Sequence, residues 1–462
     1  MIDAKHIESL KNIVGAENIY SDKAHMIAYS YDATRTRYEP DAVLFPRHEK
    51  DVSDILKYCN KHKIVITPRG AGSGFTGGAL PTNGGILLGM EKHMNQILEI
   101  DFQNMVAVVQ PGVINMDLQK AVEEVGLFYP PDPASEEYCS IGGNVSENAG
   151  GMRAAKYGIT KDYVMALRAV RANGDIIRAG KRTIKDVAGY NTAGILIASE
   201  GTLAVITEIT LKLLPKPKFT KAYMGIFPSV EDAMNAVFKS LAAGANPVAM
   251  EFLDNLVVQA LKEKLGIELP ANAGALLIGD VDGNVSDEVE FQLEILERSF
   301  KENGAVDFTI ANDEKEREGL WYARRNASPS ITIYGNKKLN EDISVPRSKL
   351  PEALTRIYEI GDRYGFKVPC FGHAGDGNIH VNVMVDGSNP QELEDGHKAI
   401  EEIFELVVDM GGTLSGEHGI GTSKAPFMSI AFNDEELSLF RDIKQAFDPN
   451  NILNPGKMGL PS

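Results

Sequence analysis

Cysteine is scarce in this chain of 462 residues: Cys59, Cys139 and Cys370 are all there is, far apart and without a C-x-x-C pair. That excludes a cysteine-ligated iron–sulfur cluster within the chain and argues against a disulfide framework. The three read instead as small buried apolar residues. Long apolar runs are also missing. No stretch approaches the roughly 18 uninterrupted apolar residues of a membrane span, and Met1 to Tyr20 has no signal-peptide core. Positive charge is in deficit: the net charge is −17 and no run of Lys or Arg stands out. This argues against nucleic acid and anionic membranes as direct ligands. These absences predict a soluble, cytoplasmic protein with no direct membrane insertion, which would need a partner to bring it to a membrane.

Glycine, by contrast, is concentrated. In Pro68-Arg69-Gly70-Ala71-Gly72-Ser73-Gly74-Phe75-Thr76-Gly77-Gly78, five glycines fall within nine residues. Glycine has no Cβ and accepts positive φ, so backbone amides can close around an anion. The run Ile64 to Thr67 reads as a short strand opening into this loop. Residues 72–77 match G-x-G-x-x-G, but that fingerprint must open a helix within a β-α-β unit. Here residues 78–85 are not helical in pattern, and Ile86-Leu87-Leu88 is the next strand. A second segment, Ser140 to Gly151, is rich in glycine and small uncharged polar groups. Between the two, Tyr129-Pro130-Pro131-Asp132-Pro133 is rigid and extended, suited to wall a flat ligand. Val164 to Arg171 and Asp175 to Arg178 form a hairpin around Asn173-Gly174, and Glu200 to Thr207 begins the last strand of this half.

Pro215-Lys216-Pro217-Lys218 punctuates the chain. From Thr220 the pattern alternates strands and amphipathic helices, which predicts an antiparallel sheet with helices on one face, an α+β cap built of two similar halves. The expected domains are 1–217, 218–424 and a segment 425–462 that returns to the first.

Chemistry concentrates in the cap. His373 and His380 lie seven apart across a glycine turn and converge if the second opens a strand; Asn382 then shares the face of His380. Glu417 and His418 offer a carboxylate and a third imidazole. Two histidines and one carboxylate with an open position make a catalytic divalent site. Arg324, in Trp321-Tyr322-Ala323-Arg324-Arg325, is suited to grip a carboxylate.

"PRGAGSGFTGG", "IGGNVSENAGG", "SEGTLAVITEI", "GHAGDGNIHVNV", "GEHGIGTSKA" and "FDPNNILNPGKM" occur in that order. With them the chain resembles FAD-linked oxidases of the vanillyl-alcohol-oxidase type, in the branch of D-lactate dehydrogenases, glycolate oxidase large subunits and D-2-hydroxyglutarate dehydrogenases. The resemblance implies an α+β fold: a two-lobed FAD-binding domain over 1–217 and a cap. It implies that non-covalent FAD is held by Pro68, Arg69, Gly70, Ala71, Gly72, Ser73, Gly74, Thr76, Gly77, Pro131, Ser140, Gly142, Gly143, Asn144, Asn148, Gly150, Gly151, Glu200, Gly201, Ile206 and Asn454. No histidine lies in or just after the first loop, where covalently flavinylated relatives place one. By resemblance, His373, His380 and Glu417 hold one divalent metal, zinc first, iron or manganese next. Arg324 and Ser328 bind substrate, and His418 is the base, acting with Arg324 and Asn382.

The reaction so implied is hydride transfer from a small D-2-hydroxy acid, D-lactate or glycolate, to flavin N5, giving the 2-keto acid. Electrons then pass to an electron-transferring flavoprotein or an iron–sulfur subunit. The 2-hydroxyglutarate enzymes carry a threonine where Ser328 stands and a lysine where Asn340 stands. That loss favours a monocarboxylate, with Lys337 or Lys338 in reserve. The alternatives are a D-2-hydroxyglutarate or D-malate dehydrogenase, an oxidase reacting directly with oxygen, and a non-catalytic flavoprotein subunit of a larger complex.

Overall fold

Two units divide the chain in the computed structural model, which describes residues 2–461. The first comprises residues 1–151, 159–216 and 417–462; the second comprises 152–158 and 217–416.

The first unit holds three sheets, one of them only the short antiparallel pairing of residues 127–128 with 214–215. Helix α1 (Ala4–Val14), strand β1 (Ile19–Tyr20), β2 (Ala42–Leu44), α2 (Glu49–His62), β3 (Ile66–Arg69) and β4 (Ile86–Gly89) form a small lobe with strand order β1-β2-β4-β3. Helix α2 starts with Glu49 and Asp51, acids that suit a helix N-terminus, and ends at Lys63 in the left-handed conformation. Its buried Val52, Ile55, Leu56 and Cys59 pack with Leu10, Leu44, Ile66 and Leu88 into one core. Strand β3 pairs in parallel with β4, so the glycine-rich loop joins two parallel neighbours without a helix, as its sequence predicts. The second sheet is antiparallel, with β5 (Ile97–Asp101), β6 (Val106–Val109), β7 (Val164–Arg171), β8 (Ile176–Gly180) and β9 (Ala204–Lys212) in the order β5-β6-β9-β7-β8. Helix α3 (Asn115–Glu123) follows β6.

The second glycine-rich segment, Ser140 to Gly151, contains an element its composition does not suggest: Ile141–Glu147 is helix α4. The Ser140 hydroxyl caps it, accepting the Gly143 amide at 3.2 Å, and Asn148 ends it with φ +58°. A strong cap and a left-handed exit outweigh the poor helix propensity of two glycines.

The C-terminal segment returns to β3. The Ile66 amide donates to the Ile452 carbonyl and the Asn454 amide donates to the Ile66 carbonyl, and Ile452 and Leu453 join the core. The return begins at Glu417, earlier than the expected 425. The amides of Ile420 and Gly421 donate to Glu200, and those of Thr422 and Ser423 donate to the Thr76 carbonyl.

The second unit is one antiparallel sheet of seven strands. They are β10 (Phe219–Phe227), β11 (Ala249–Leu253), β12 (Ala275–Gly283), β13 (Asp307–Ile310), β14 (Lys337–Ser344), β15 (Cys370–His373) and β16 (Asn378–Val385), in the order β13-β10-β12-β11-β15-β16-β14. Between them run α5 (Val230–Ala242), α6 (Asn255–Leu265), α7 (Ser286–Glu302), α8 (Glu314–Ser330), α9 (Leu350–Tyr364) and, after β16, α10 (Pro390–Asp409). The order β10-β12-β11 is mirrored by β14-β16-β15, so two like halves meet where β11 pairs with β15. Residues 152–158 belong to this unit because Lys156 and Tyr157 both bond Asp282 of β12.

The helices lie on both faces of the sheet, not one. On β10, Ala222 and Ile226 pack with Val257 and Leu261 of α6 and with Trp321 and Ala323 of α8. The alternate residues Tyr223 and Phe227 pack edge-on against Phe300 of α7. Consecutive strand residues point to opposite faces, so α6 and α8 cover one side and α7 the other. The polarity of α8 hides this in the sequence. Among the described residues no helix is long and apolar enough to cross a membrane, and all three cysteines are free and buried.

Candidate active site

In the first unit two adjoining clefts, of about 560 and 790 Å3, share Gly70, Ala79, Gly143 and Glu147 as walls. Together they make an elongated groove. The first is lined by Pro68, Arg69, Gly142, Glu200, Gly201 and Ile206 among others. The second is lined by Ala71, Gly72, Ser73, Gly74, Ser140, Asn144, Gly150 and His418. The two glycine-rich segments touch at its centre: a Cβ on Gly70 would stand 2.1 Å from the Ser140 hydroxyl oxygen. Gly72 has φ +69°, and a Cβ there would strike the Arg69 guanidinium. That guanidinium donates to the Tyr31 carbonyl at 2.8 Å and backs the loop from inside.

Six of the expected cofactor residues line neither cleft and act as supports. Thr76 donates to the His418 carbonyl. Gly77 turns with φ +82°. The Pro131 carbonyl accepts from Asn115 and Gln119. Asn148 ends α4, and its side chain accepts the Lys161 amide. A Cβ on Gly151 would meet the Asp132 backbone. Asn454 is buried and donates to the carbonyls of Gly78 and Glu200, stapling the loop to that strand entry. Burial raises the Glu200 carboxyl above its ordinary value, although the amides of Ile420 and Gly421 oppose it. Burial also lowers Lys457 to about 8. The Phe75 ring lies 5.2 Å from that of His418. Sequence reasoning passed over Phe75 and Glu147, which lines both clefts; the signal for each was its place inside a glycine-rich segment.

In the second unit the turn 374–377 joins β15 to β16, with His373 opposite Asn378 and Phe371 opposite His380. The rings of His373 and His380 are 5.2 Å apart and nearly perpendicular. Glu417 is bonded to Gly416, the last residue of this unit. One ligand atom each from His373, His380 and Glu417 lie within 4.8 Å of one another, a donor set that fits a divalent ion.

Behind His373 stands a residue the sequence did not reveal. Glu251 on β11 is fully buried; its Oε1 is 2.6 Å from His373 Nδ1 and its Oε2 accepts from Arg324 Nε at 2.7 Å. Burial would raise the Glu251 carboxyl, but His373 and Arg324 hold it below its ordinary value. The available signal was a lone carboxylate in the apolar run Val248-Ala249-Met250-Glu251-Phe252.

Arg324 also stacks over Phe371, 5.0 Å from the ring centre. Arg325 faces solvent and pairs with Glu318. Ser328, one helical turn beyond Arg324, accepts from Lys338 Nζ at 2.8 Å. Of the two lysines held in reserve, Lys338 shares the strand face of Asn340, whereas Lys337 points to the opposite one; burial lowers the Lys338 ammonium. Asn382 is fully buried; its side-chain oxygen accepts from Asn340 and its amide group donates to the carbonyls of Pro369 and His380.

Residues 216–458 match the family described as FAD linked oxidases, C-terminal domain, and residues 40–180 match the FAD binding domain family. The chain belongs to the FAD-linked oxidases. Glycolate oxidase subunit GlcD of Bacillus subtilis is 43% identical to this FAD-linked oxidase, over 98% of this chain and 96% of its own. D-lactate dehydrogenase of Anaerostipes hadrus is 34% identical over 97% and 94%. The crystal structure of p-cresol methylhydroxylase with substrate bound shares the fold at 19% identity, with a TM-score of 0.82 over 99% of this chain and 96% of its own. This FAD-linked oxidase is thus an oxidoreductase whose cofactor is FAD. The jointly walled clefts, pressed so close that Gly70 has no room for a side chain, fit that long dinucleotide.

Proposed function

We propose that this protein is an FAD-dependent dehydrogenase that oxidises a small D-2-hydroxy acid, D-lactate or glycolate, to the 2-keto acid. The observation that carries the reading is the meeting of His373, His380 and Glu417, with the guanidinium of Arg324 reached through Glu251. The names of the relatives, glycolate oxidase subunit and D-lactate dehydrogenase, support the substrate class.

FAD along the two clefts supplies a hydride acceptor, and a divalent ion on His373, His380 and Glu417 supplies Lewis acidity. Arg324 keeps its Nε on Glu251 and turns its remaining N–H groups to the substrate carboxylate. His418 takes the proton of the α-hydroxyl. It is bonded to Glu417, so one peptide bond joins a cleft-lining base to a metal ligand. Thr76 and Phe75 steady it from below. Asn382 and Asn340 hold β16 and β14 in register beneath His380. Three separated cysteines cannot ligate a cluster here, so electrons leave for a partner protein, an electron-transferring flavoprotein or an iron–sulfur subunit. The FAD is non-covalent, and zinc is the first choice of metal.

A second reading is favoured by one contact. Lys338, exposed and bonded to Ser328, offers a second cation to a longer substrate such as D-2-hydroxyglutarate or D-malate.

An anaerobic visible titration with D-lactate, glycolate and D-2-hydroxyglutarate, with L-lactate as control, tests both. Bleaching of the oxidised flavin band by one of these three acids, with L-lactate inert, names the substrate. A band untouched by all of them sinks the dehydrogenase reading and leaves a non-catalytic flavoprotein.

A further inference from the structure

Glu251 and His373 are direct cross-strand partners, on the strands where the two halves of the cap sheet meet. Both carboxylate oxygens of Glu251 are engaged, one by His373 Nδ1 at 2.6 Å and one by Arg324 Nε at 2.7 Å, and the residue has no exposed surface. A carboxylate so deeply withdrawn from water persists only when paired. Arg324 neutralises it. The imidazole contact needs a further reason, because a second charge is not required for balance.

We propose that Glu251 is a positioning residue of the metal centre: by accepting from Nδ1 it keeps the His373 proton there and turns the Nε2 lone pair to the ion. The proposal rests on the reading of His373, His380 and Glu417 as metal ligands. An anionic acceptor on one ring nitrogen fixes both tautomer and orientation of the other, and such partners are commonly worth 10–100-fold in metal affinity. Arg324 completes the device. Its guanidinium holds the second carboxylate oxygen, and its stacking on Phe371 leaves Glu251 little freedom to rotate away. The same carboxylate thereby links the ring that holds the metal to the cation that grips the substrate.

The test compares the FAD-loaded wild type, Glu251→Gln, Glu251→Asp and His380→Ala. Zinc affinity is read by competition with a chromophoric chelator. The His373 tautomer is read from ring 15N shifts of the metal-free proteins, assigned with a His373→Gln sample. In Glu251→Gln the amide oxygen stays on Arg324, so its NH2 faces Nδ1 and forces the ring proton onto Nε2. Zinc affinity is expected to fall 10–100-fold and the 15N pattern to invert, with flavin content unchanged. Glu251→Asp keeps the charge, so the tautomer is retained and affinity falls between the two. If the wild type binds zinc, His380→Ala does not, and Glu251→Gln matches the wild type in affinity and tautomer, the role of Glu251 is overturned and the metal centre stands. If the wild type binds no zinc, the metal centre falls and this role with it. If Glu251→Gln does not fold, Glu251→Asp decides: a protonated Nε2 in that variant overturns the proposal. Loss of flavin together with zinc in both variants marks a merely structural carboxylate and overturns it too.

Discussion

Asp342 accepts the Gly416 amide at 2.9 Å and the Ser415 hydroxyl at 3.1 Å, and so fixes the backbone immediately before Glu417. Asp342 is itself fully buried on β14, opposite His380 in the strand register. The proposed carboxylate ligand Glu417 therefore follows directly on backbone that Asp342 holds, and His418 is the next residue along the chain.

For the proposed base, His418→Ala is expected to keep both flavin and metal and to slow anaerobic flavin reduction by about 10²–10⁴-fold, the usual worth of general-base catalysis. Stopped-flow reduction under saturating substrate measures it. An unchanged rate removes His418 from the mechanism.

Gly70→Ala places a methyl group 2.1 Å from the Ser140 hydroxyl oxygen. The two glycine-rich segments must then part, and FAD affinity is expected to fall at least tenfold in reconstitution of the apoprotein, about 1.4 kcal/mol or more. Adding Ser140→Ala removes the struck oxygen and is expected to restore part of the affinity. Failure of the double variant to recover would mean that the contact is not what limits binding.

Lys338→Met separates the two substrate readings. Lys338 is tied to Ser328 and lowered by burial. Its loss is expected to raise KM for D-2-hydroxyglutarate at least tenfold and to leave KM for D-lactate within about twofold, because only the longer acid extends a second carboxylate. Equal effects on both acids would exclude Lys338 from recognition of the substrate's tail.

Asp254 makes the cap's stability depend on pH. It caps α6 through the Val257 amide, and Tyr358 and the Cys370 amide also donate to it. Burial pushes its carboxyl from 3.8 up to about 7. The folded state thus binds this proton more tightly than the unfolded one. Its stabilising contribution is full below about pH 4 and is lost as pH rises through about 7, at on the order of 1.4 kcal/mol per pH unit. Asp254→Asn is expected to flatten that slope. Urea unfolding followed by Trp321, the chain's single tryptophan, reads the second unit selectively. An unchanged slope would place the titration elsewhere.

Much of this architecture is legible in the sequence because its signals are local. The glycine-rich loop between two strands, the Asn173-Gly174 hairpin and the His373/His380 pair each lie within one short stretch of the chain. What stayed hidden depends on distance or on conflict between signals. Glu251 meets His373 across 122 positions, and nothing near it in the chain points to a partner. Helix α4 was masked by Gly142 and Gly143, although Ser140 and Asn148 mark its ends. Helix α8 carries many charges and Pro329, which obscured the apolar stripe that covers the second sheet face. Asn382 marks the reach of periodicity: the strand period puts it on the face of His380, but says nothing about Asn340, which donates to it from the neighbouring strand.

The seam between β11 and β15 joins two halves that are alike in strand order and unlike in content. Each half of the cap sheet repeats the other's strand order, yet the two halves supply different chemistry: Glu251 and Arg324 come from one, His373 and His380 from the other. Neither half contains the constellation by itself. The constellation exists only at the joint, so a change that loosened this one pair of strands would separate the carboxylate from the imidazole while leaving each half folded on its own strands.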